Sequence, residues 1–123
     1  MSAEALADRA ARLAAAVARL GDDAWAERVT GLVGVSPPVR EGVRPTYREI
    51  AHAGTGLVAA LADVERWDDA AREARELKRF FAATPDELGP VAVEAFDGLL
   101  AASMARDRDE LEDFVDLVEA LFP

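Results

Sequence analysis

Thr46-Tyr47-Arg48-Glu49-Ile50-Ala51-His52-Ala53-Gly54-Thr55-Gly56-Leu57-Val58-Ala59-Ala60-Leu61-Ala62-Asp63-Val64-Glu65-Arg66 is the stretch that sets the fold. Tyr47, Ile50, Gly54, Leu57, Leu61 and Val64 recur at spacings of three and four, which gathers them on one narrow stripe of a helix. His52, the single histidine of the chain, lies on the same helix. At about 100° per residue it stands roughly 180° from the centre of that stripe. A helix of this kind must bury its stripe against other helices.

After Val64 the apolar phase slips, and Trp67, Ala70, Ala71, Ala74, Leu77, Phe80 and Phe81 define a displaced stripe. One unbroken helix from Pro45 to Phe81 would run about 55 Å, too long for a small domain. A turn is therefore expected between Asp63 and Asp68, although no Gly or Pro marks it. Thr84-Pro85-Asp86-Glu87 predicts the next helix start: threonine as N-cap, proline first, glutamate three after the cap. Gly89-Pro90 then predicts a kink or a restart. Val93, Phe96, Leu99, Leu100 and Met104 supply that helix's apolar side. A turn near Asp107 to Asp109 leads to a last helix burying Leu111, Phe114, Val115, Val118, Leu121 and Phe122.

Upstream, Leu6, Ala10, Leu13, Val17 and Leu20 share one face of a first helix ended by Gly21. Asp22 or Asp23 can cap a second, with Trp25, Val29, Leu32 and Val33 inward. Gly34 opens an irregular run through Ser36-Pro37-Pro38 to Arg44, where adjacent prolines prevent a regular helix. Pro45 suits the first turn of the central helix, where a missing amide costs nothing. The expectation is one all-α domain over 1–123, a compact bundle of five to six helices arranged as antiparallel hairpins. Its parts are an N-terminal helix pair (1–34), a Pro/Gly-containing loop (35–45), and central and C-terminal hairpins (46–123).

A chain of 123 residues buries roughly two-thirds of its unfolded surface, enough for a core without staples. It has no cysteine, which removes disulfides and thiolate zinc sites. The N-terminal stretch is broken by Glu4, Asp8, Arg9, Arg12 and Arg19, unlike a signal peptide or membrane span. A cytoplasmic protein without membrane contact is expected. Acidic residues number 24 against 14 basic, a formal charge of −10, which opposes binding to nucleic-acid phosphates.

Three constellations bear on chemistry. Glu49-Ile50-Ala51-His52 has the Glu-x-x-His spacing of ferritin-like dimetal half-sites, whose ligands must face the bundle interior; His52 faces away and has no second histidine to pair with. Arg48 to Gly56 resembles the phosphoacceptor region of histidine phosphotransfer domains. That resemblance implies an exposed His52 as phosphoacceptor, with the small Gly56 four residues on. Thr55 stands where the family usually has lysine, leaving Arg48 as the nearest cation for a phosphoryl group.

Glu73-Ala74-Arg75-Glu76 and Glu94-Ala95-Phe96-Asp97 resemble the metal-binding pattern of all-alpha nucleotide pyrophosphohydrolases. That resemblance implies Glu73, Glu76, Glu94 and Asp97 as Mg²⁺ ligands facing a triphosphate. Glu76 and Glu94 lie about 150° from their helices' apolar centres, so convergence would need a cleft between subunits. Val64 to Ala71 is similar to the turn of tetratricopeptide-type hairpins, and Gly98 to Phe122 overlays Gly56 to Phe81 as a second copy. No nucleophile with a matching base assembles from the sequence, and Trp25 and Trp67 belong to apolar stripes. The expected function is a non-catalytic, acidic protein-interaction module, an adaptor or accessory subunit with a protein partner or as a homo-oligomer such as a homodimer. It carries no cofactor. The two alternatives are the Mg²⁺-dependent hydrolase and phosphotransfer through His52.

Overall fold

The computed structural model describes residues 2–35, 42–84 and 87–123. Among them are six helices and no strand: α1 (Ala3–Arg19), α2 (Asp23–Gly31), α3 (Tyr47–Asp63), α4 (Trp67–Ala82), α5 (Leu88–Ala105) and α6 (Arg108–Leu121). Contacts run from α3 to α4, α5 and α6 in turn and return to α3, which closes an up-and-down four-helix bundle. The α1–α2 hairpin packs on the outside of α3 through α1. Trp25 on α2 and Glu73 on α4 join the hairpin to the bundle a second time. The expected helical hairpins are thus present as α3–α4 and α5–α6, closed on each other and not stacked as an open array.

The expected turn lies at Val64–Arg66. Glu65 takes a left-handed φ of 62°, and Arg66 N–H donates to Leu61 O at 2.8 Å, so a glutamate does the work usually given to glycine. Arg106, with φ 54°, turns α5 into α6 in the same way, and Asp107 then caps α6 by accepting from Glu110 N–H at 3.1 Å. Two starts differ from expectation. Pro45 lies before the cap instead of inside the first turn: Thr46 is the N-cap of α3 and accepts from Glu49 N–H at 3.1 Å. Helix α5 begins at Leu88 with no side-chain cap. Thr84 closes the end of α4 by donating to Phe80 O, while Pro85 and Asp86, which complete the expected capping box, lie outside the described residues. Pro90 sits in the first turn of α5, where its missing N–H has no intrahelical partner to lose, so no restart occurs there. The Ser36 to Glu41 part of the expected loop also lies outside the described residues.

The core centres on Phe81, whose ring lies 5.0 Å from Phe80 and Phe96 and 5.4 Å from Phe122. Helix α3 is buried far beyond its predicted stripe, with Ala51, Thr55, Val58, Ala60 and Ala62 also enclosed. Three neighbours, α1, α4 and α6, surround it. Against α4 the approach is close enough that a Cβ on Gly54 would stand 2.4 Å from Leu77 Cδ2. Helix α5 has only two charged residues, Glu94 and Asp97, and is long and hydrophobic enough to cross a bilayer by length and composition. It lies against α4 and α6, burying the small residues Gly89, Ala92, Ala95, Gly98 and Ala102 with Phe96 and Leu99. Met104, expected inward, is exposed.

Candidate functional site

The carboxylates singled out from sequence do not gather into one cluster among the described residues. Glu73 is fully buried and accepts from Trp25 Nε1 at 3.1 Å. Burial pushes its carboxyl pKa up, the Trp25 hydrogen bond opposing this; Glu76 adds to the rise, while Arg28 and Arg72 lower it. Glu76 pairs with Arg28 at 2.9 Å and Arg79 at 2.7 Å. Asp97 pairs with Lys78 at 2.8 Å, and Glu94 is exposed. Glu73 and Glu76 thus share Arg28 of α2, while on α5 Asp97 is engaged by Lys78 and Glu94 is exposed. Among the described residues no three carboxylate or imidazole groups gather where they could share a cation.

His52 is half-buried because α6 crosses beside α3 at this level. Its Nε2 donates to the Phe122 main-chain oxygen, which assigns the proton to that nitrogen. Gly56, one turn on, is covered by Arg9, whose Nη1 would lie 3.0 Å from a Cβ there. Neither feature presents the free ring nitrogen on an open surface that the phosphotransfer resemblance implies.

His52 belongs instead to the wall of a cleft of about 780 Å³. Helix α3 forms its floor. Arg48, His52, Thr55 and Ala59 line it, spaced four, three and four apart, so they share one helical face. Helix α1 runs antiparallel along one side, tied down by Arg19 to Glu49 at 2.9 Å and by Arg9 Nη1 to Gly56 O at 3.4 Å. Helix α6 supplies Val115, Val118 and Glu119 on the other side. Four arginines, 9, 12, 19 and 48, line the cleft against two carboxylates, Glu49 and Glu119. In a chain of formal charge −10 this is a local reversal of sign.

No family model, curated protein or solved structure matches this chain. The functional reading rests on the side chains themselves.

Sequence reasoning isolated His52 but missed the cleft. The signal was present as two patterns: arginines at 9, 12 and 19 on one helix, and a second, polar-to-small stripe through 48, 52, 55 and 59 on another. Neither pattern states that the two faces meet.

Proposed function

We propose that this protein is a non-catalytic binding module that captures an acidic segment of a partner protein in the cleft between α1, α3 and α6. One observation carries the reading: four arginines line this cleft in an otherwise strongly acidic molecule. A patch of opposite sign in a self-repelling field attracts a negatively charged partner and keeps further copies of the acidic surface away. Arg9 and Arg19 stand ten residues apart on α1, about 15 Å along the helix axis. That spread matches a run of about five extended residues better than a single small ion.

The reading is tested by fluorescence anisotropy with a labelled Glu/Asp-rich peptide, its Gln/Asn counterpart and a Lys-rich peptide. The acidic peptide alone is expected to bind, more weakly as salt screens the charges, and to be lost with the Arg9→Glu, Arg12→Glu double variant. Equal binding of the neutral peptide, or full binding by the double variant with an unchanged melting curve, would overturn it.

A further inference from the structure

The two ends of the cleft are not equivalent. Near Thr46, Arg19 is paired with Glu49 and Arg48 Nε donates to the Pro123 main-chain oxygen at 2.7 Å, so both guanidinium groups are committed. At the other end Arg9 has no carboxylate partner among the described residues and makes a long contact to Gly56 O. Arg12 pairs with Asp8 one turn away, both side chains well exposed, an arrangement that holds a charge only weakly.

Thr55 lies on the floor between these walls. Its side chain is 3% exposed, and its Oγ1 is the one buried side-chain polar atom without a hydrogen-bond partner among the described residues. A helical threonine or serine ordinarily donates to the carbonyl one turn back. Thr30, Thr84 and Ser103 of this same chain do so, to Ala26 O, Phe80 O and Leu99 O at 3.1, 3.0 and 2.8 Å. Thr55 has the same option on α3 and does not take it. An unpaired buried hydroxyl is costly unless something else satisfies it.

Resting on the cleft reading above, we propose that the Arg9 end is a phosphate subsite, and that the partner's acidic segment carries a phosphorylated serine or threonine there. Arg9 and Arg12 supply guanidinium N–H donors, and the Thr55 hydroxyl supplies a third. A phosphate monoester, with close to two negative charges and three acceptor oxygens in a pyramid, can meet three donors from three directions. A carboxylate offers one charge and two oxygens confined to one plane, a poorer match to donors that arrive from out of that plane.

Three forms of one Glu/Asp-rich peptide, with serine, phosphoserine or glutamate at the central position, would be titrated into the full chain. The phosphoserine form is expected to bind at least about tenfold more tightly than the serine form, and the glutamate form to fall between the two. Inorganic phosphate should displace the phosphopeptide. Thr55→Val, nearly the same shape, should erase most of the phosphoserine preference, whereas Lys78→Gln on α4, away from the cleft, should preserve it. Equal affinity of all three peptides would overturn the subsite while leaving the acidic-segment reading intact. Binding of none would overturn both. A Thr55→Val variant that keeps the full preference would remove the hydroxyl from the site and with it the subsite as drawn.

Discussion

Glu73 and Thr55 are buried to nearly the same depth, at 1% and 3% exposure, but in unlike company. Glu73 lies where α2 meets α4, its carboxylate accepting from Trp25 Nε1 with Arg28 and Arg72 nearby. Thr55 lies on the face of α3 that lines the cleft, its hydroxyl buried and unpaired. The first polar group is consumed by the architecture, since it joins an outer hairpin to the bundle. The second holds hydrogen-bonding capacity the fold has not used. Depth of burial thus fails to separate a structural polar group from a binding one, and the state of its partners separates them.

The largest effect is expected at Glu73. Glu73→Ala leaves Trp25 Nε1 buried without an acceptor beside a new void, and should cost about 2–4 kcal/mol in denaturant unfolding. A loss below about 0.5 kcal/mol, the level of an ordinary surface change, would show that this bond does not hold α2 in place. Next come two glycines on opposite sides of α3. Gly54→Ala drives a methyl into Leu77, an overpacking worth about 1–3 kcal/mol that outweighs the helical preference for alanine. Gly56→Ala meets only the guanidinium end of Arg9, so the propensity gain of up to about 1 kcal/mol should show as a higher melting temperature. Like signs for the two variants would mean that the core and cleft sides of α3 are packed alike.

Smaller effects sharpen the contrast. Because burial raises the Glu73 pKa in the folded state, the folded protein holds this proton more tightly than the unfolded chain does. Its contribution to stability is full below the ordinary carboxylate range and declines as pH rises through the raised value. Glu73→Gln keeps an acceptor for Trp25 without the charge; melts across pH should show it matching wild type in acid and exceeding it near neutrality. A flat difference across pH would mean that Glu73 titrates as an exposed carboxylate. The smallest change is expected at Thr55→Val, where losing an unpaired hydroxyl should leave stability equal or raise it by up to about 1 kcal/mol. A loss of that size would instead place the hydroxyl among the fold's own bonds.

The helices and most of their boundaries were legible because the relevant interactions are local. The phase slip after Val64 locates the α3–α4 turn even though the residue that makes it, Glu65, is a glutamate in a left-handed conformation. The Asp22 cap on Trp25 N–H follows from a short carboxylate ahead of an apolar run. Thr46-x-x-Glu49 carried an equally local cap signal, obscured by the neighbouring proline that suggested an earlier start. The site was less legible. His52 does turn away from the core stripe of α3, but its surroundings come from residues 9–19 and 115–122, and α6 converts an outward face into the side of a cleft. The acidic pairs mislead for a related reason: spacing on one helix specifies a face, and α2 takes up Glu73 and Glu76 before α5 can share them.

Helical class, the hairpin rhythm, the acidic balance and the absence of cysteine chemistry all follow from the order of residues, because a turn of helix is closed within four positions and charge is a sum. The flanking of α3 by α1 and α6, the gathering of four arginines in an acidic chain, and the idle hydroxyl of Thr55 arise from packing. They depend on which apolar faces bury best against one another across as many as a hundred residues, a competition that no local pattern encodes.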